Sequence, residues 1–219
     1  MRQLSPQEKK NFNYHSDMTC YGLYPVIDSS LKKYETALNP DNEEGFKEKL
    51  LRLGEGSLLD IGFSIEMFKE LKQLLPQVKM TGMSAYVSKK ERDYSLKSGI
   101  EMIGGNFLLL EDLVTGPFDV IVSKSTLDKV DKSTDKIRIL QDIWNLLKFD
   151  EDPAKTGVAY LHIFNINIYR ENNPDLGISN KKASDFFQSF GYDIREHKNS
   201  NYIITMHKNQ QGHLVVPTN

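Results

Sequence analysis

The sequence predicts an α/β fold, a doubly wound and mainly parallel seven-stranded sheet with helices on both faces. Two observations predict it. Short apolar runs bounded by glycine or proline alternate with longer segments whose apolar residues recur at three and four. The chain also has 219 residues, 39% hydrophobic and 26% charged, which suits one large core in an ordinary globular protein.

Residues 1–20 are polar, with Tyr14, His15, Tyr21 and Tyr24 forming an aromatic cluster at their end. A helix is expected over 25–37, where Leu31, Tyr34 and Leu38 lie near helical spacing. Asn39-Pro40-Asp41-Asn42 reads as a turn, with Asp41 or Asn42 capping a helix over 43–53. Strands follow at 57–62 and 78–83, separated by a helix over 65–75 that Pro76 ends. A helix over 87–97 with Gly99 as its C-cap leads to a short strand at 100–103. The β-branched run 118–122 is the fourth strand. The helix over 134–147 presents Ile137, Leu140, Ile143, Trp144 and Leu147 on one face. A polar loop over 149–156, a strand at 158–164, a helix over 181–190 and strands at 192–196 and 201–207 complete the order, the last strand antiparallel. The expected organisation is an N-terminal helical extension packing on the core (1–53), the sheet domain (54–207) and a frayed polar tail (208–219). Ligands of such sheets bind at the carboxyl ends of the strands.

Charge and cysteine usage narrow the classes. The formal net charge of -2 gives no global cationic field, so nucleic acid is not an expected partner. A single cysteine, Cys20, permits no intrachain disulfide. One cysteine and five scattered histidines offer no zinc spacing, and no metal is expected. No apolar h-region opens the chain and no run reaches membrane-span length, so the expected setting is cytoplasmic, without a membrane partner.

The segment SLLDIGFSIEMFKELKQLLPQVKMTGMS resembles the start of a class I S-adenosylmethionine-dependent methyltransferase, whose first strand runs into D-x-G-x-G-x-G. Asp60 and Gly62 match that start, Gly105-Asn106-Phe107 stands at the G-D turn, and Phe118-Asp119-Val120-Ile121 matches the F-D-x-I strand. The resemblance spans roughly 54–207 and implies a Rossmann-like methyltransferase fold, S-adenosylmethionine as cofactor and methyl transfer to an acceptor. By position it implies cofactor contacts from Asp60, Gly62, Phe63, Ser64, Met83, Ser84, Asn106 and Phe107. Tyr21, Ser123 and Lys124 are the candidates for the acceptor side. The pattern departs from the family where Ser64 and Glu66 replace loop glycines, Ser84 replaces the ribose-binding acid, and Asn106 replaces the aspartate of the G-D turn. FDVIVSKSTLDKV is also similar to F-D-x-x-x-D-K-G-T-L-D of methyltransferases that act on protein lysines, with Ser123 and Ser125 in place of the acid and the glycine.

Each candidate has a structural alternative. Asp60 caps the next helix, Asn106 makes a turn, Glu66 supports a helix N-terminus and His162 is a core histidine, whereas Tyr86 is a functional candidate, to cover adenine in place of the missing acid. Three functions are therefore open: a methyltransferase acting on a protein or small molecule, a methyltransferase-like scaffold without catalysis, and a dinucleotide enzyme. The last lacks G-x-G-x-x-G. The catalytic residue and the oligomeric state are unassigned.

Overall fold

The computed structural model describes residues 30–39, 44–127, 133–163, 192–197 and 201–208. Its strands are β1 (Ser57–Ile61), β2 (Lys79–Ser84), β3 (Glu101–Gly104), β4 (Val120–Lys124), β5 (Val158–Ile163), β6 (Tyr192–His197) and β7 (Asn201–His207). They form one seven-stranded sheet in the order β3-β2-β1-β4-β5-β7-β6. The first five pair in parallel, and β7 runs antiparallel to both β5 and β6. The chain fills one side of β1 with β2 and β3, then returns to its other side with β4. The crevice between the carboxyl ends of β1 and β4 is therefore the topological switch point.

Alternation along the strands builds two cores. Leu59, Ile61, Met83, Ile121, Ala159, Leu161, Ile204 and Met206 face one side. There they meet Ile139, Leu140, Ile143 and Trp144 of helix α6 (Ser133–Leu146) and Leu110 of the short helix α5 (Leu110–Leu113). Leu58, Met80, Val120, Val122, Val158 and Tyr160 face the other side, with α1 (Leu31–Leu38), α2 (Phe46–Leu53), α3 (Ile65–Leu74) and α4 (Lys89–Ser98). Burial on both faces explains why these strands read as apolar runs rather than as polar–apolar alternation. Leu31, Tyr34, Leu38, Phe46 and Leu50 lie in the same core as the sheet, so the described part of 1–53 shares the domain's interior. Full burial of Phe68 and Trp144 makes each worth about 3–5 kcal/mol against alanine.

Local signals set the helix ends. Ser88 and Glu91 form a reciprocal capping box at α4, and Gly99 closes it in the left-handed region at φ 68°. Five local expectations are corrected. Helix α2 starts after Gly45, whose N-cap position carries no side-chain bond, rather than from a cap at Asp41 or Asn42. Residues 107–113 form a 3-10 turn running into α5, which the sequence did not signal. Strand β4 is displaced to 120–124, because Asp119 turns its carboxylate onto the Ser57 N–H and hydroxyl, both at 2.9 Å, and Phe118 only bridges Leu147. The α6 face gains Ile139, fully buried. Lys208, placed in a frayed tail, is buried: its Nζ donates to the Trp144 carbonyl at 3.2 Å and lies 4.1 Å from the Trp144 ring centroid. The predicted helix over 181–190 and the N-terminal aromatic cluster lie outside the described residues. Among the described residues, no helix is long and apolar enough to cross a membrane.

Candidate cofactor site

Asp60 occupies the penultimate position of β1 and is fully buried. Its Oδ2 accepts from the Tyr34 hydroxyl at 2.9 Å and from the Ser64 N–H at 3.3 Å. Its Oδ1 is buried and has no hydrogen-bond partner. Burial pushes the carboxyl up to about 7, opposed in turn by the Tyr34 hydrogen bond, the Ser64 N–H and the charge of Lys124. Tyr34 comes from α1, and its phenol is pushed well above its ordinary range by burial, then by the charge of Asp60. The same hydroxyl lies 3.5 Å from the Gly62 carbonyl, and the Leu31 N–H at the start of α1 donates to Glu70 of α3 at 2.7 Å. Helix α1 is thus fastened over the loop that follows β1. Tyr34→Phe is expected to raise the Asp60 carboxyl further above about 7, because it removes the largest opposing interaction; a 13C titration of the side-chain carboxyl reads this directly.

Gly62 makes the turn out of β1 at φ 83°, and its N–H donates to the Met83 carbonyl at 2.7 Å. A Cβ there would stand 1.9 Å from Thr126 Oγ1, so the loop after β4 approaches the backbone of the loop after β1 without room for a side chain. Ser64 is the N-cap of α3 and accepts from the Met67 N–H at 3.5 Å. Phe63 turns into the core, stacked on Phe68 with ring centroids 6.0 Å apart, over Gly82. Met83 is fully buried between sheet and α6, and Phe107 lies in the same cluster. Ser84 ends β2 half-buried, its carbonyl accepting from the Gly105 N–H at 2.9 Å. Asn106 accepts from the Leu108 N–H at 3.0 Å and caps the 3-10 turn.

On the acceptor side, Ser123 is fully buried and donates to the Ile61 carbonyl at 3.1 Å, which ties β4 to β1. Lys124 is the last residue of β4 rather than a loop residue, with its Nζ 5.7 Å from the Tyr34 ring centroid. Its amine is lowered by burial first and then by Lys33, against the pull of Asp60. Tyr21 lies outside the described residues. The switch point therefore brings together Asp60, Gly62, Ser64, Ser123 and Lys124, while Phe63, Met83 and Phe107 serve packing. Glu66 points outward to Lys69 at 2.5 Å, and Tyr86 is 58% exposed.

Sequence reasoning missed the Tyr34–Asp60 and Ser125–His162 contacts, and read Thr126 only as the threonine of the K-G-T-L-D match, not as the residue that closes on Gly62. Tyr34 was visible only as an apolar-face residue of a helix, and nothing in one sequence says where a phenol hydroxyl ends. Ser125 carried a signal: a serine at a position where the pattern it resembles has glycine. A broad open groove also runs along the amino ends of the strands, lined by Ser57, Lys79, Asp119 and Lys148. It touches none of the candidate residues and lies on the sheet edge opposite the switch point.

No protein-family model matches the chain, and no curated protein matches its sequence. Solved structures do match its fold. Over 96% of this chain and 93% of the other, it is similar to the 1,6-didemethyltoxoflavin-N1-methyltransferase of Burkholderia thailandensis, with 13% identity and a TM-score of 0.59. That structure holds 1,6-didemethyltoxoflavin and S-adenosylhomocysteine. Similarity also extends to PigF with SAH (16% identity, 91% of this chain, TM-score 0.49), of whose length this chain spans 59%. The mitomycin 7-O-methyltransferase MmcR matches 89% of this chain and 67% of its own at 15% identity and a TM-score of 0.46. The strand order and the first of these likenesses define the class: the chain has the α/β fold of class I S-adenosylmethionine-dependent methyltransferases.

Proposed function

We propose that the chain is an S-adenosylmethionine-dependent methyltransferase whose acceptor is a protein side chain or a small molecule. One observation carries the reading. At the switch point of this sheet, a fully buried carboxylate directs an unpartnered oxygen, Asp60 Oδ1, beside a turn that excludes any Cβ. The amino-acid end of the cofactor carries an ammonium and a carboxylate. Asp60 Oδ1 is an acceptor for the first, and the positive end of the α3 dipole suits the second. The residues fit less well at the ribose, where Ser84 supplies a hydroxyl and no carboxylate. The bound cofactor would supply an electrophilic methyl. The chain's own part is to orient it and exclude water, and positioning of that kind accounts for much of such rate enhancement.

A second reading, a methyltransferase-like binding protein without catalysis, is favoured by the engagement of the candidates. Ser64, Asn106 and Ser123 spend their side chains on caps and carbonyls, and Phe63, Met83 and Phe107 are packed in the core. Calorimetry with S-adenosylmethionine and S-adenosylhomocysteine tests the two. Binding of both at micromolar to millimolar concentration is expected, weakened in Asp60→Asn. No heat at millimolar ligand would sink the methyltransferase reading and leave the second.

A further inference from the structure

Among the described residues, Ser125 is the only non-glycine residue with a positive φ, 57°. It directly follows β4, in a conformation that costs an L-residue and costs glycine nothing. Its N–H donates to the His162 carbonyl at 3.0 Å, a bond that glycine would make equally well. What serine adds is its hydroxyl, and Oγ stands 3.0 Å from His162 Nδ1. Ser125 is half-buried and His162 is buried, so a reachable hydroxyl is backed by a sheltered imidazole. The pair sits at the carboxyl ends of β4 and β5, and the next residue, Thr126, packs against Gly62. A strained residue that presents a nucleophile–base contact beside a ligand loop is where function concentrates.

Resting on the methyltransferase reading, we propose that Ser125 and His162 form a proton-accepting pair for the methyl acceptor, and that the acceptor group is a hydroxyl. An amine attacks through its neutral form and a thiol ionises readily near neutral pH, whereas a hydroxyl must lose its proton as it attacks. In the transfer, the acceptor O–C bond forms while the sulfonium S–C bond breaks, and the sulfur keeps the electron pair. The acceptor proton passes to Ser125 Oγ as the Ser125 proton passes to His162 Nδ1, and the imidazolium later returns its proton to water. Ser125 would touch the acceptor; His162 is a positioning residue that acts through it. The residues across from His162 in the sheet are Lys124 on β4 and Ile203 on β7.

The test is the tautomer of His162. Long-range 1H–15N spectra of the labelled chain, assigned with His162→Gln, are expected to show neutral His162 with the proton on Nε2 and Nδ1 accepting. Ser125→Gly should move the Nδ1 resonance toward that of a free ring nitrogen, with a thermal midpoint no lower than wild type because the backbone strain is relieved. A proton on Nδ1 throughout the neutral range, or an Nδ1 resonance unchanged in Ser125→Gly, would overturn the pair. Titration of the same samples with S-adenosylhomocysteine separates the two levels. Absence of binding strikes the methyltransferase reading, whereas binding with a protonated Nδ1 strikes this inference alone.

Discussion

Asp60→Asn is expected to be more stable than wild type at about pH 8, by on the order of 4 kcal/mol, with the gap closing toward about pH 4. The folded chain holds the Asp60 carboxyl at about 7, well above its ordinary value of 3.8. Because the native state binds this proton more tightly than the unfolded state, the carboxyl's contribution to stability is most favourable below the unfolded value. It is lost progressively as pH rises toward about 7 and is constant above that. Asparagine carries no charge in either state. Its oxygen still accepts from Tyr34 and Ser64, and its amide replaces one unpartnered atom by another. Asp142 is also raised to about 7, by burial and then by Glu111, so wild type alone shows a steeper decline with pH. The difference between the two chains in denaturant melts from acid to mild alkali isolates Asp60. Flat, parallel curves would mean that the carboxylate is not desolvated. The same substitution removes the anion proposed to meet the cofactor ammonium, so stability should rise while affinity falls, as expected where a buried charge is kept for binding.

How much of this was legible in the sequence follows from how local each signal is. Strand β1, helix α3 and strand β2 were readable because their apolar residues run together or recur at helical spacing within one element, and their ends are marked by Gly62 and Pro76. The displacement of β4 was not, because it is decided by Asp119 bonding Ser57, 62 residues earlier. Lys208 likewise looks like tail until Trp144 supplies a ring and a carbonyl from another element. At the candidate site the backbone features were readable as spacing, Asp60 and Gly62 above all. The features that give those residues chemistry come from elsewhere in the chain: Tyr34 from α1, Thr126 from the loop after β4 and His162 from β5. A pattern match around 60–66 sees the loop and not the groups that close over it.

Gly62→Ala is expected to destabilise the fold by about 2–4 kcal/mol and to abolish cofactor binding, through two separable causes. The first is conformational. At φ 83° an L-residue pays about 1–2 kcal/mol that glycine does not. The second is steric. The new Cβ falls 1.9 Å from Thr126 Oγ1, 2.9 Å from Thr126 Cβ and 3.1 Å from Thr126 Cγ2, so the loop after β4 must retreat. Thr126→Ala removes the two outer atoms and leaves the Cβ contact, whereas Thr126→Gly removes all three. In double-variant cycles with Gly62→Ala, Thr126→Ala should recover part of the steric share and Thr126→Gly nearly all of it. Neither should recover the conformational share. Urea denaturation measures the stabilities, and S-adenosylhomocysteine calorimetry reads the site. Additive effects with no coupling would show that Thr126 does not close on Gly62. Full recovery of stability in the Gly62→Ala, Thr126→Gly chain would show that the turn does not need its left-handed backbone. Recovery of stability without recovery of binding would place the requirement for glycine in the approach of the ligand to this turn, the reason a D-x-G loop needs its first glycine.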